Sequence, residues 1–292
     1  MSHCISSSSI VLVNLGSPRS PHPYHVFRYL TEFLTDPLVI ELPFWKRQLL
    51  VRGIIVPMRF RESATNYKKI WTAEGSPLIV WGEKVRLLLE QALNLPVYLA
   101  MRYQKPSIKE TLTSIKGPVI VVPLFPQYAE ATTGSIVKEV KKWRPDATFV
   151  FLQPDHPRMI SAMATQITDE FDHLLMSFHG LPVKQDRTGY KEACYQTAAA
   201  LGKKIGRSYH VSFQSRLGKE PWLEPYTSSV LPTLKGTVGV ISPSFVADCV
   251  ETTYELGMEY RPLYKGPLIP CMNQHPLWID SLKEQIEEHL YI

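Results

Sequence analysis

No apolar run in this chain approaches the ~20 residues that a membrane-spanning helix needs. The opening "MSHCISSSSIVLVNLG" has no cationic start, and its short apolar run reads as a first strand, not as a secretory leader. There is no C-x-x-C pair: Cys4, Cys194, Cys249 and Cys271 stand far apart, which signals neither a zinc ribbon nor a cysteine-held cluster and reads as free thiols in a reducing cytosol. No G-x-x-x-x-G-K-[ST] loop occurs, so nucleotide-driven chemistry is not indicated. "SFHG" is not a G-x-S-x-G elbow, which argues against hydrolysis through Ser177. Long blocks of like charge are missing too. With 32 Lys and Arg against 27 Asp and Glu, the net charge of +5 is spread along the chain, which favours an anionic ligand or membrane surface over nucleic acid.

What is present is a globular composition, 45% apolar over 292 residues, long enough for two domains of about 150 residues each. Short apolar runs ending in Gly or Pro alternate with helix-like stretches, the pattern of an α/β fold with parallel sheets flanked by helices. Strands are predicted at 9–14, 96–101, 118–124, 148–152, 173–178, 209–214 and 237–242. Helices are predicted near 61–72, 80–93, 107–115, 134–143, 159–170, 188–206, 247–257 and 276–289.

The two halves carry the same punctuation in the same order. "VNLGSP" corresponds to "SFHGLP", "LAMRYQKP" to "FQSRLGKEP", and "GPVIVVPLFPQYAEATTG" to "GTVGVISPSFVADCVETT". Three matches in series predict two similar Rossmann-like domains, 1–153 and 154–292, with the last helix (about 276–289) placed to dock on the first domain. Ligands of open parallel sheets bind beyond the carboxyl ends of the strands. Asn14, Gly16, Arg102, Tyr103, Gln127, Tyr128, His179 and the segment Phe245–Glu255 therefore belong around a cleft.

His179 follows "LLMSF" directly, so its imidazole is expected at a strand end, as a base, a metal ligand, or simply a partner for a loop carbonyl. Asp248, Glu251 and Glu255 recur at helical spacing and would share one face. Such acids either meet a cation or sit at a solvated helix start, where the dipole favours them. Cys249 points away from that face and reads as a small apolar group. The segment 42–61 mixes Phe44, Trp45, Leu49, Ile54 and Met58 with Lys46, Arg47, Arg52, Arg59 and Arg61, and contains no acid. It reads either as a buried helix or as a lip for an amphiphilic anion or anionic lipid.

The motifs "VNLGSP", "YKKIWTAEGSPL", "MRYQKPS", "FPQYAEATTGS", "SFHGLP", "FQSRLGKEPWLEPYT" and "FVADCVETTYEL" together resemble those of the ferrochelatases, class II tetrapyrrole chelatases, in their bacterial form, over nearly the whole chain. The resemblance implies insertion of ferrous iron into protoporphyrin IX or coproporphyrin III near the end of heme synthesis. It makes His179 and Glu251 the metal-side pair, with Asp248 and Glu255 continuing an acidic file. It makes Tyr103, Phe245 and Trp222 pocket aromatics, Arg102 a polar partner at the inner wall, Ile40 an apolar residue over the metal, and Arg59 a propionate contact. Cys249 stands where some animal members carry His, as it does in some bacterial members.

Iron is then expected as substrate with no permanently bound cofactor and no iron-sulfur cluster, and porphyrin as the partner, without nucleic acid. The expected location is the cytoplasm, with peripheral contact at the inner membrane face through 42–61. The alternatives are a cobalt or nickel tetrapyrrole chelatase and a non-catalytic heme or porphyrin carrier.

Overall fold

The computed structural model describes residues 8–168 and 170–290; Cys4 lies outside the described residues. These fall into two units. One takes the described residues up to Leu124, Glu130–Phe151 and those from Glu287 on, and the other takes Phe125–Ala129 and Leu152–Ile286.

The first unit is built on β1 (Ser9–Asn14), β2 (Val97–Met101), β3 (Val119–Pro123) and β4 (Thr148–Phe149), all parallel, in the order β2-β1-β3-β4. Ile10, Val11, Leu12 and Val13 are wholly buried, as a central strand covered on both faces requires. The second unit repeats the arrangement with β5 (His173–His179), β6 (His210–Gln214) and β7 (Val238–Ile241) in the order β6-β5-β7. In both, the first strand lies in the middle and the next two flank it. The expected α/β architecture of two similar parallel sheets is what forms.

The glycine of each G-x-P motif has the same physical cause. After β1 the chain passes against the end of β2, where the Tyr103 N–H donates to the Leu15 carbonyl at 2.8 Å. A Cβ on Gly16, whose φ is +110°, would stand 2.1 Å from the Tyr103 carbonyl oxygen. After β5 the Gly180 N–H donates to the Gln214 carbonyl at 2.8 Å, and a Cβ there would lie 2.8 Å from that oxygen. The second motif of each half also closes alike: the Met101 N–H donates to Pro106 and the Phe213 N–H to Pro225.

Helices start with proline at Pro23, Pro77 and Pro157, where the missing N–H costs nothing. The helix Pro23–Leu34 is absent from the sequence reading. The helix predicted from residue 61 begins at Val56, preceded by a wide turn at Val51–Ile55 and a short helix, Phe44–Leu50. β4 stops at Phe149 instead of residue 152, since Phe151 is already half exposed and Pro154 cannot continue a ladder. Wide i→i+5 turns follow the third strand of each unit, at Glu130–Gly134 and at Val250–Glu259. The second of these is docked on its own unit's core by Leu256, which packs with Leu175, Val238 and Val240.

Candidate functional site

β5 delivers His179 at its carboxyl end. The backbone N–H of His179 donates to Ser244 Oγ (3.1 Å), and its carbonyl accepts from Tyr190 Oη (2.7 Å). Tyr190 Oη is also 3.2 Å from Ser244 Oγ, so three residues fix the strand end. The imidazole is half-buried, with Nδ1 2.6 Å from the Gly180 carbonyl oxygen. A carbonyl has no hydrogen to give, so Nδ1 carries one, and in the neutral ring Nε2 keeps its lone pair. The Phe245 ring lies edge-on to it, with centroids 6.1 Å apart. Trp222 is bridged to Pro182, and its ring would sit 3.2 Å from a Cβ at Gly180. His179 and Phe245 thus meet at the end of β5, with Trp222 packed beside Gly180.

The carboxylates are arranged differently from the expected single helix face. Asp248 precedes the wide helix, which runs Val250–Glu259, and its side chain is consumed locally. It accepts from Thr252 Oγ1 (3.2 Å), the Cys271 N–H (3.2 Å) and Asn273 Nδ2 (2.7 Å). Glu255 accepts from the Ser215 N–H (2.7 Å), Ser215 Oγ (2.5 Å) and Gln214 Nε2 (3.2 Å). Burial and then the Glu255 charge push the nearby Tyr260 phenol up.

Glu251 stands in the first turn of the same helix beside the Cys249 thiol, which burial and the Glu251 charge push well above its usual range. Cys249 itself caps that turn. Its thiol accepts the Thr252 N–H, while Thr252 Oγ1 accepts the Cys249 N–H at 3.0 Å. The reading of Cys249 as mere apolar filler is therefore incomplete. Among the three carboxylates, Asp248 and Glu255 tie the helix to its surroundings, whereas the Glu251 carboxylate meets the Cys249 thiol and its backbone carbonyl accepts from Gln214 Nε2 at 2.9 Å.

In the first unit, Arg102 and Tyr103 leave β2 together and converge on Asp36, a residue that sequence reasoning passed over. The Asp36 side chain is 2% exposed. It accepts from an Arg102 terminal nitrogen (2.5 Å), Ser135 Oγ (2.7 Å), Tyr103 Oη (3.0 Å) and the Leu38 N–H (2.8 Å). Burial acts to raise this carboxyl, but the Ser135 hydroxyl, the Leu38 N–H, Arg102 and Tyr103 together outweigh it and hold the group below the usual carboxylate range. Arg102 also donates to Ser135 Oγ (2.7 Å) and lies 3.8 Å from Glu139. Its charge is already matched, so it does not offer a free guanidinium. Tyr103 is buried, its phenol pushed up by burial and the Asp36 charge, and its ring packs on Phe33. Within its unit it is a core aromatic and exposes no ring face. The only local signal for Asp36 was the turn-forming pair Asp-Pro in "LTDP".

The backbone carbonyl of Asp36 accepts the N–H groups of Val39 and Ile40, which places Ile40 on an apolar cluster with Val51, Val56, Phe60 and Phe27. Beyond that cluster, Phe44, Trp45, Leu49, Ile54 and Met58 are each more than half exposed. Arg47 alone turns inward, donating to the carbonyls of Thr35 and Leu42. Arg52 and Arg59 are exposed, Lys46 lies over the Trp45 ring, and Arg61 over Phe60. The segment is therefore helical but not a buried helix. Among the described residues no helix is long and apolar enough to cross a membrane. No group of three or more His, Cys, Asp or Glu among the described residues is arranged to hold a metal.

A family model described as Ferrochelatase matches residues 7–290. A ferrochelatase of Polaromonas sp. (strain JS666) is 38% identical over 95% of this chain and 86% of its own length. One of Azoarcus sp. (strain BH72) is 38% identical over 96% and 86%, and one of Pseudomonas fluorescens 37% over 97% and 98%. Among solved structures, the cobalt complex of the sirohydrochlorin chelatase SirB from Bacillus subtilis subspecies spizizenii is similar with a TM-score of 0.55 and 13% identity, over 98% of this chain and 96% of that one. CbiX, described as the terminal enzyme of siroheme biosynthesis in denitrifying bacteria, gives 0.56 and 14%, over 97% and 98%. At that identity the two structures bear on the fold alone.

Proposed function

Since this chain belongs to the ferrochelatase family, we infer that it inserts ferrous iron into a porphyrin to form heme, with iron and porphyrin as substrates. The reaction removes two pyrrole N–H protons as a dication enters. It therefore needs a base with a free lone pair. The observation that carries the reading is the His179 tautomer: Nδ1–H donates to the Gly180 carbonyl, leaving Nε2 to take a pyrrole proton or to hold iron. Phe245 and Trp222 beside it provide the flat apolar surface that a macrocycle requires.

Glu251 supplies the second function, a carboxylate that can carry a proton away or guide Fe²⁺. Asp248 and Glu255, with three donors each, hold the helix that presents it. Arg102 is spoken for, so the propionate contact falls to a cation of the lip such as Arg59. With Phe44, Trp45, Leu49, Ile54 and Met58 exposed among Lys46, Arg52 and Arg59, the lip also suits peripheral contact with an anionic membrane surface.

The test compares Glu251→Gln with Glu288→Gln, an exposed acid of the last helix. Zn²⁺ or Fe²⁺ insertion should fall on the order of 100-fold in the first, the lower range for loss of a group acting on protons, and stay near wild type in the second. Equal rates in the two variants would remove Glu251 from the mechanism.

A further inference from the structure

His179 and Glu251 lie on different elements of the second unit, and one buried side chain joins them. Gln214 ends β6, is 2% exposed, and pairs in register with His179. Its Nε2 donates to the Glu251 backbone carbonyl (2.9 Å) and to the Glu255 carboxylate (3.2 Å). Its Oε1 accepts from Ser177 Oγ (2.8 Å) and lies 3.3 Å from Ser242 Oγ. A carbonyl and a carboxylate take only hydrogen, so these partners fix which way the amide faces. Both donors of the amide are used, and its oxygen accepts from Ser177.

The partners of Gln214 belong to every element around it. Ser177 stands two residues before His179 and also bonds Thr227 Oγ1 at 2.7 Å. Ser242, at the end of β7, donates to the Ser177 carbonyl at 2.6 Å. The strand that carries His179, its two neighbours and the first turn of the Glu251 helix therefore meet at one amide. No other side chain of like size does this: Glu would lose both donors and place its charge against Glu255 and a carbonyl, and Met would replace none of the three hydrogen bonds.

We propose that Gln214 is a positioning residue for metal insertion, holding the Glu251 turn in register with the His179 strand end while touching neither substrate. This rests on the functional reading above. Misplacing a reacting group by about 1 Å costs on the order of 100-fold in rate. A residue that acts this way lowers kcat and leaves porphyrin KM alone.

The test uses the full chain with Zn²⁺ and protoporphyrin IX, in wild type, Gln214→Met, Glu251→Gln and the double variant. Gln214→Met should lower kcat on the order of 100-fold with porphyrin KM within about twofold. In the Glu251→Gln background the same change should lower the rate less than about threefold, because its effect runs through Glu251. A folded Gln214→Met enzyme with wild-type kcat would overturn the proposal. So would an equal loss in both backgrounds, which is what a purely structural role produces. Should the Met variant not fold, Gln214→Asn, whose amide falls one carbon short, carries the same comparison. Absence of turnover in wild type would instead overturn the functional reading, and this role with it.

Discussion

Asp36→Asn tests whether the first unit is organised around one buried carboxylate. The substitution keeps the shape and lets the Asn oxygen still accept the Leu38 N–H. It turns an NH₂ group toward Arg102, Ser135 and Tyr103, which in the native protein all give hydrogen to Asp36 Oδ2. Both partners of the ion pair are mostly buried, at 15% and 2% side-chain exposure, so solvent does little to screen the loss. Removing one partner of such a pair costs about 3–5 kcal/mol. Glu139, 3.8 Å from Arg102, takes up part of the stranded charge, which argues for the lower end, about 3 kcal/mol.

For a domain of this size that is roughly a 6–12 °C fall in Tm. The pH dependence carries the same signature. The folded-state carboxyl lies below the usual carboxylate range, so its contribution is complete at neutral pH and disappears as pH falls through the ordinary value toward the folded one. Wild type should therefore lose stability on acidification below about pH 5 more steeply than Asp36→Asn. Calorimetry of both proteins between pH 3 and pH 7 makes the comparison. A variant within 1 °C of wild type at pH 7, or acid slopes that coincide, would refute the ion-pair reasoning.

Two further outcomes follow from the geometry. Gly16→Ala puts a methyl group 2.1 Å from the Tyr103 carbonyl at a φ that Ala disfavours, so it should destabilise by about 3 kcal/mol or more, whereas Gly206→Ala, with open space and only a φ penalty, should cost roughly 1–2 kcal/mol in denaturant titration. Vesicles with anionic phosphatidylglycerol should retain wild type but release an Arg52→Glu, Arg59→Glu variant, each reversal costing on the order of 1 kcal/mol or more; equal retention would remove the membrane role of the lip.

The order of elements was legible because a buried central strand leaves a continuous apolar run, and because each strand exit needs a glycine where no Cβ fits. The repeated punctuation around Gly16 and Gly180 follows from two equivalent steric constraints. The places of His179 and Phe245 were legible for a related reason, since strand ends and their following loops occupy predictable places, whereas Trp222 was named through the family motif "EPWL". The carboxylates were not. Spacings of three and four suggest one α-helical face, but the wide turn begins at Val250, leaves Asp248 outside, and gives Glu255 to Ser215. Asp36 and Gln214 were missed because their importance lies in partners 28 to 99 residues away, which no local pattern records.

The most direct measurement is anaerobic metalation by the purified protein, with Fe²⁺ or Zn²⁺ and either protoporphyrin IX or coproporphyrin III, followed by the Soret and Q bands over many turnovers. The account predicts multiple turnovers by wild type with one of the two porphyrins. It also predicts that His179→Ala binds that porphyrin but does not insert the metal. Tight binding without turnover would describe a carrier, and wild-type turnover by His179→Ala would contradict the role assigned to the end of β5.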